Sequence, residues 1–329
     1  MTHQLIDTNE RRLNYLRVSI TDRCNLNCLY CRRWGVTPYF PASEILTYEE
    51  ILRIINIGSL LGITKVRITG GEPFVRNDAG KFIERVGDMP MLTDVSVTTN
   101  GLRLESHLSR LKDSGIKRIN VSLDTLKIEK YRLITGRDGF RQVWRGIMAA
   151  LEAGFDPVKI NVVVMRDIND DELASFARLT LDMPVTVRFI EYMPTCEYQL
   201  DQYRKMFYSD IRSRVEANGK LIPVRARDNS NNAERFKYPK AKGEIGFINP
   251  MSRHFCAKCN RLRLTADGKI RPCLLSDRFV DIKTPMRQGC TDSEIAGLLQ
   301  MAAFLKPKSS IGAEDKIGSV PAAMSAIGG

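Results

Sequence analysis

The fold is decided by the segment Tyr15-Leu-Arg-Val-Ser-Ile20, a short apolar run that leads directly into Cys24-Asn-Leu-Asn-Cys28-Leu-Tyr-Cys31. A run of this length, rich in Val and Ile and followed by polar residues, is typical of a β-strand. Similar runs recur along the first two-thirds of the chain, at Lys65–Thr69, Asp94–Thr99, Arg118–Leu123, Val158–Val164 and Val185–Tyr192.

Helical patterns separate these runs. Over Tyr48–Leu61, Thr47 and Glu50 form a capping box, and Gly62 follows as a C-terminal cap residue. Further patterns cover Ala79–Val86, Ser106–Ser114, Phe140–Ala153 and Asp171–Thr180. The alternation predicts an α/β protein with six parallel βα units. Six units are too few for a closed eightfold barrel, so an incomplete barrel and an open doubly wound sheet both fit.

The pattern changes after Tyr192. Gln202–Ala217 is predicted to be helical, Arg225–Gly243 a polar loop or weak hairpin, and Asp292–Phe304 a helix. Gly246–Ile282 reads as short strands and turns, and Lys306–Gly329 as a flexible tail. We therefore predict three regions, at residues 1–195, 196–305 and 306–329.

Charge and hydropathy limit the function. The chain has 329 residues with 50 Lys+Arg against 38 Asp+Glu, a net charge of +12 that indicates an anionic partner. No segment approaches the ~18 apolar residues of a membrane helix, and Met1–Arg12 has no apolar signal sequence. We expect a cytoplasmic protein, in which clustered cysteines indicate a metal or catalytic site.

Cys24, Cys28 and Cys31, here called the first cysteine group, follow the first strand. In a βα architecture this is the edge that carries active sites. Three soft thiolates can hold a polynuclear iron–sulfur cluster and leave one iron open to a small molecule. The alternatives are free thiols or part of a zinc site, although no fourth Cys and no His lies close by in the sequence.

Cys256, Cys259 and Cys273, here called the second cysteine group, lie in the last third of the chain. With Cys290 as a fourth ligand, the spacing also fits a structural zinc ribbon. Cys196 and Cys290 are otherwise expected to be small buried hydrophobic residues.

Four predicted strands carry a cation among apolar neighbours, and we call these Arg17, Arg67, Lys159 and Arg188 the strand cations. Strands covered on both faces are normally apolar, and a buried charge needs a counter-ion. A triphosphate would fit, with Arg donating paired hydrogen bonds and Lys acting as a point charge. The alternatives are strand ends open to solvent, or internal counter-ions such as Glu72, Asp124 and Glu191.

The first cysteine group, with an aromatic residue before its last cysteine, resembles the signature of the radical S-adenosylmethionine superfamily. Thr69-Gly-Gly-Glu-Pro73 resembles the loop of that family that binds the methionine amino group. The segment Phe255–Leu264, together with Val158–Val164 and Phe189–Pro194, is similar to the GTP 3′,8-cyclase family. The similarity extends from Arg17 to Gly329.

The resemblance implies an incomplete (βα)6 TIM-type barrel whose open side is closed by a C-terminal cluster-binding region. It implies two [4Fe-4S] clusters, S-adenosylmethionine as cofactor, and cyclisation of GTP in the first step of molybdenum cofactor biosynthesis. The implied partners are an external electron donor of the flavodoxin or ferredoxin type and a downstream pterin synthase. A homodimer is compatible with the sequence, whereas neither nucleic acid nor membrane is expected as a partner.

The resemblance also assigns residues position by position. The cluster ligands are the two cysteine groups. Positions that match contacts to S-adenosylmethionine are Tyr30, Gly71, Ser122 and Met193. Positions that match contacts to GTP are Arg17, Arg67, Thr98, Lys159, Arg261, Leu262 and Arg263. Arg17 and the terminal Gly328 and Gly329, which in the family enter the active site, are implied to be catalytic.

Two other readings compete with this one. Another two-cluster radical enzyme, such as a peptide-modifying maturase, would share the first cysteine group but would not need the strand cations. A basic zinc-containing nucleic-acid module would show exposed aromatic residues among basic runs, whereas aromatic residues make up only 8% of this chain.

Overall fold

The computed structural model describes residues 4–31, 39–193, 204–224, 233–253, 255–309 and Ile327, and a single twelve-stranded sheet forms the centre of this part of the chain. Its six central strands are parallel and follow chain order. They are β1 (Tyr15–Ser19), β2 (Lys65–Thr69), β3 (Asp94–Thr99), β4 (Arg118–Ser122), β5 (Val158–Val164) and β6 (Val185–Glu191).

The last third of the chain adds strands to both edges of these six. One edge continues from β6 to β9, β8 and β7, and the other from β1 to β10, β11 and β12. β9 and β10 pair in parallel with β6 and β1, and the outer strands are antiparallel. Their bounds are Ile222–Pro223, Glu234–Lys237, Glu244–Ile248, Arg261–Leu264, Lys269–Arg271 and Val280–Asp281 for β7 to β12.

Helices connect the parallel strands and pack on one face of the sheet. α1 (Tyr48–Leu60) begins at the predicted capping box, in which Thr47 Oγ1 accepts a hydrogen bond from the backbone N–H of Glu50 at 3.1 Å. The others are α2 (Ala79–Gly87), α3 (Leu108–Asp113), α4 (Ile128–Thr135), α5 (Phe140–Glu152), α6 (Leu173–Asp182), α7 (Tyr208–Glu216), α8 (Lys283–Arg287) and α9 (Asp292–Phe304).

The predicted strands and most predicted helices are confirmed. The polar segment predicted as loop or weak hairpin contains β8, whose antiparallel pairing with β7 and β9 confirms the hairpin. The helices differ in three respects, of which one is that the short α8 was not predicted. The helix predicted over Gln202–Ala217 begins only at Tyr208. α4 was not predicted, because it is a short helix with Ile128 43% and Leu133 63% exposed, so its apolar residues do not mark a single buried face.

The sheet is an incomplete barrel, because no ladder joins its two outer strands in the described part of the chain. Side chains alternate along each strand. One set, including Leu16, Val66, Ile119 and Ile160, is fully buried in the hydrophobic core with the helices. The other set is polar, and we call the surface that it forms the interior face. Among the described residues, no helix is long and apolar enough to cross a membrane.

Candidate active site

The first cysteine group lies at the carboxyl edge of the parallel strands, in the loop after β1. The loop is partly ordered by its own backbone, since the N–H of Cys31 donates to the carbonyl of Cys28 at 3.0 Å. Burial raises the pKa of Cys28 well above the usual value, and the neighbouring Cys31, Asp124 and Cys24 raise it further. Ionised thiolates at these positions would repel one another, and a cationic metal centre would stabilise them.

The Gly-Gly-Glu-Pro loop after β2 packs directly against this cysteine loop. The N–H groups of Gly71 and Glu72 donate to the carbonyls of Thr21 and Arg23, at 2.7 and 2.8 Å. A Cβ atom on Gly71 would lie 2.3 Å from the carbonyl oxygen of Arg23. Only glycine allows the two backbones to approach this closely.

Glu72 connects the loop after β2 to the end of the next strand, β3. Its buried carboxylate accepts hydrogen bonds from Thr99 Oγ1 at 2.7 Å and from the backbone N–H of Asn100 at 2.6 Å. Burial raises the pKa of Glu72 to about 7. Asn100 Nδ2 in turn lies 3.8 Å from the sulfur of Cys24. The loops after β1, β2 and β3 therefore form one connected unit.

The positions assigned to S-adenosylmethionine lie along this edge. Tyr30 precedes Cys31, Ser122 ends β4, and Met193 follows β6. The hydroxyl of Tyr30 donates to Asp124 Oδ2 at 2.7 Å. Burial raises the pKa of Asp124 to about 6. The structure thus brings the first cysteine group and these positions to a single edge of the sheet.

The second cysteine group lies at the opposite edge. β10 begins just after Cys259 and runs parallel to β1, whereas the first cysteine group follows the end of β1. Cys273 follows β11, which is antiparallel to β10 and so ends at the same edge as Cys259. β1 has five residues, and a strand of that length is roughly 16 Å long. The interior face spans the space between the two groups.

Both cysteine groups suit a polynuclear cluster. All six thiols are partly buried, and each group offers three soft donors. Soft thiolates are the donors that hold iron–sulfur clusters, as well as zinc.

Cations dominate the interior face between the two groups. Arg17 on β1 lies opposite Arg67 on β2 and Arg263 on β10. Burial lowers the pKa of Arg17 well below its usual value, and Arg263 and Arg67 lower it further. Lys159 lies on β5, where burial and then Arg188 lower its pKa to about 6. The structure therefore brings the strand cations to one face of the sheet, where they act on one another's pKa values.

The suggested internal counter-ions bind elsewhere. Glu191 accepts hydrogen bonds from the backbone N–H groups of Tyr208, Met251 and Ser252, at 2.9 to 3.0 Å. Glu72 and Asp124 hold the loops of the carboxyl edge. These carboxylates position backbone segments and hydroxyl groups.

Arg188 is held by amides. Its guanidinium donates to Asn161 Oδ1 at 2.8 Å and to Asn120 Oδ1 at 2.6 Å. Gly246 on the neighbouring β9 makes room for it, since a Cβ there would lie 3.0 Å from Arg188 Cγ. Neutral amides orient the guanidinium without neutralising its charge.

Thr98, Tyr15 and Leu262 differ in what they offer a ligand. The buried hydroxyls of Thr98 and Tyr15 meet no hydrogen-bond partner within the described segments. The Tyr15 ring lies 5.5 Å from the Arg67 guanidinium and 5.3 Å from that of Arg261. Sequence reasoning missed Tyr15, because its pattern is that of an ordinary strand residue.

Leu262 pairs with Leu16 and shares its helix-covered face, so its side chain points away from the interior face.

Three predicted residues lie outside the described part of the chain: Cys196, Gly328 and Gly329. Ile327, which precedes the two glycines, is described and is buried. Cys290 is partly buried and packs against the hydrophobic core.

Comparisons with known proteins define the class. The profile of the Radical SAM superfamily matches residues 18–180, and that of Molybdenum Cofactor Synthesis C matches residues 185–311. Among solved structures, Streptococcus suis SuiB bound to S-adenosylmethionine has a TM-score of 0.58 at 15% identity, covering 87% of this chain and 71% of SuiB. That likeness shows the fold. The chain is a radical S-adenosylmethionine enzyme, with S-adenosylmethionine and iron–sulfur clusters as its cofactors.

Curated relatives define the family. The GTP 3′,8-cyclase of Thermodesulfovibrio yellowstonii is 47% identical over 92% of this chain and 94% of its own length. That of Moorella thermoacetica is 44% identical over 98% of this chain and 99% of its own length. The chain belongs to the GTP 3′,8-cyclase family. The maturase alternative is not favoured, because these relatives are GTP 3′,8-cyclases and the Molybdenum Cofactor Synthesis C profile matches the last third of the chain.

Proposed function

We propose that this chain cyclises GTP to (8S)-3′,8-cyclo-7,8-dihydroguanosine 5′-triphosphate by joining ribose C3′ to guanine C8. One observation carries the proposal. Between the two cysteine groups, the interior face gathers cations close enough to lower one another's pKa values. A polyanion bound there relieves this repulsion, and the names of the relatives identify the polyanion as GTP.

The strand cations and their neighbours bind the triphosphate in this proposal. Arg17 and Arg67 offer planar guanidinium groups for paired hydrogen bonds, and Lys159 offers a point charge. Arg261 and Arg263 extend the cationic surface towards the second cysteine group. The Thr98 hydroxyl, buried without a hydrogen-bond partner in the described part of the chain, gains one when the nucleotide binds.

The first cysteine group would hold a [4Fe-4S] cluster, with Tyr30, Gly71, Ser122 and Met193 around S-adenosylmethionine. When bound, this pair supplies a 5′-deoxyadenosyl radical that can take a hydrogen atom from the ribose. The chain itself fixes the geometry, since the hydrogen bonds of Gly71 and Glu72 join the loops at this edge. Such rigidity keeps the two reactants at near-attack distance and keeps water out.

The second cysteine group would hold the other cluster and with it the guanine base. Gly328 and Gly329 are proposed to complete the site from the chain terminus, and Arg17 to act beside them. Support comes from Ile327, which directly precedes the two glycines and is buried at 1% exposed.

Anaerobic incubation with GTP, S-adenosylmethionine and dithionite, followed by mass analysis, tests the proposal. We expect 5′-deoxyadenosine together with a cyclised isomer of GTP. Alanine at any member of the first cysteine group should abolish cleavage of S-adenosylmethionine. Cys256→Ala should spare some uncoupled cleavage but stop cyclisation, and Cys290→Ala serves as the matched control. Deoxyadenosine formation that does not depend on GTP would point to another substrate.

The proposal also covers the electron donor, the enzyme that uses the product, the location in the cell and the oligomeric state. An external donor of the flavodoxin or ferredoxin type supplies the electron, and a downstream pterin synthase consumes the product. The enzyme acts in the cytoplasm, with a homodimer as its proposed oligomeric state. The division at residues 195 and 305 stays a prediction.

A further inference from the structure

Two buried cations outside every recognised motif contact the second cysteine group from opposite ends of the chain. Arg11 lies near the N-terminus and its side chain is 8% exposed. Lys306 follows α9 and is 4% exposed. Lysine and arginine are rarely buried to this extent unless they are paired. Their contacts therefore indicate what they do.

Arg11 connects the N-terminal segment, the cysteine loop and the segment after α9. Its Nε donates to the fully buried carboxylate of Asp7 at 2.6 Å. Its terminal nitrogens donate to the carbonyl of Cys256 at 2.6 Å and to that of Pro307 at 2.7 Å. The planar guanidinium thus fixes three segments at once.

Lys306 contacts the rest of the cysteine group. Its ammonium donates to the carbonyls of Arg261 and Pro272, both at 2.7 Å, and Pro272 directly precedes Cys273. Arg261 is the second residue after Cys259, so the ammonium lies beside the segments that carry Cys259 and Cys273. The two cations therefore hold the segments of all three cysteines through backbone carbonyls.

The charge balance indicates a role beyond packing. Within the described part of the chain, Lys306 forms no ion pair with a carboxylate, and Cys259 and Cys273 are close enough to act on its charge. At the first cysteine group, the carboxylates of Glu72 and Asp124 are neighbours, and the Arg137 guanidinium donates to the carbonyl of Asn25 at 3.3 Å. A positive charge near the sulfurs raises the reduction potential of a cluster.

We propose that Arg11 and Lys306 are positioning residues of the second cluster, with Arg11 fixing the Cys256 loop and Lys306 raising the reduction potential through the positive charge that it places beside Cys259 and Cys273. This inference rests on the proposed function, which assigns the second cysteine group to an iron–sulfur cluster.

The experiment compares Lys306→Met and Arg11→Met with the matched controls Lys308→Met and Arg12→Met, which remove neighbouring exposed cations. Each variant is made in two full-length backgrounds, one lacking the first cysteine group and one lacking the second. After anaerobic reconstitution, iron and sulfide are measured per chain, and the remaining cluster is titrated by electron paramagnetic resonance.

In the background that keeps the second cluster, we expect Lys306→Met to lower the iron content or to shift the potential downwards. Arg11→Met should lower the iron content. In the background that keeps the first cluster, neither change should alter the iron content or the reduction potential. The control variants should leave the iron content and the reduction potential unchanged in both backgrounds. Wild-type iron and potential for Lys306→Met, or equal losses in both backgrounds, would overturn the inference.

If Lys306→Met does not fold, Lys306→Gln replaces it, because glutamine keeps a donor and removes the charge. Retained iron with a lower potential supports the inference, and an unchanged potential contradicts it. Failure of the proposed function looks different. In that case the wild type would hold only the iron of a single cluster, about four per chain, and replacing the second cysteine group by alanine would leave that content unchanged.

Discussion

Binding of GTP should take up about one proton through Lys159. Burial lowers the pKa of Lys159 from 10.5 to about 6, and the positive charges of Arg188, Arg118 and Arg67 contribute to the decrease. Lys159 is therefore largely neutral in the free protein at pH 8. A bound triphosphate reverses the sign of the local charge and raises this pKa towards the ordinary value.

The direction of the pH dependence follows from linkage. When binding raises a pKa, affinity is greatest below the pKa of the free protein and is lost as pH rises towards that of the complex. Here the loss begins near pH 6, at about tenfold or 1.4 kcal/mol per pH unit. A terminal phosphate titrates near pH 6, so the nucleotide adds little to the slope between pH 8 and 9.

Isothermal titration calorimetry without reductant, at pH 8 to 9 and in two buffers of different ionisation enthalpy, measures the protons taken up. Lys159→Arg should bind GTP without proton uptake, since arginine stays charged. Lys159→Met should bind weakly and also without uptake. The exposed Lys117→Met is the matched control. Absence of uptake in the wild type, or equal uptake in Lys159→Met, would refute the reasoning.

Local patterns in the sequence predicted much of the fold. The six central strands are short apolar runs bounded by polar or small residues, and such signals depend only on neighbouring residues. Gly62, Gly115 and Gly154 end helices with φ of +93°, +72° and +78°, a conformation that glycine adopts without strain. The first cysteine group could be placed because the loop after a parallel strand lies at a known edge.

The partners of the C-terminal strands could not be predicted in this way. Tyr15 pairs with Arg261, and Arg188 with Gly246, across long sequence separations. Strand pairing at such distances depends on the whole chain and leaves no local signal. Arg11 was missed for a related reason, because a single cation in a loop matches no motif until its contacts are known.

Three further predictions test the site. Gly71→Ala places a Cβ 2.3 Å from a backbone carbonyl, so it should lower the free energy of unfolding by about 1–3 kcal/mol, measured with denaturant. The same change should weaken S-adenosylmethionine binding. Gly297→Ala, which has open space around its Cβ, is the control and should have neither effect. Thr98→Val removes a buried hydroxyl that lacks a partner in the described segments, so it should stabilise the free protein by about 1 kcal/mol yet weaken GTP binding; equal affinity would contradict this. Asn120→Asp gives Arg188 a carboxylate partner and should weaken GTP binding about tenfold by equilibrium dialysis, more than Asn120→Ala does.

The pairing of β10 with β1 sets both the separation of the two cysteine groups and the charge between them. Leu262 and Leu16 pack on the helix-covered face, and this fixes the register that places Arg263 opposite Arg17. A slip by one residue would bury the arginines of β10 among the helices and turn Leu262 towards the nucleotide. The apolar leucine pair therefore enforces the polar arrangement on the other face. Because strands roughly 16 Å long run between the two cysteine groups, the proposed substrate would reach from one group to the other along the cationic surface between them.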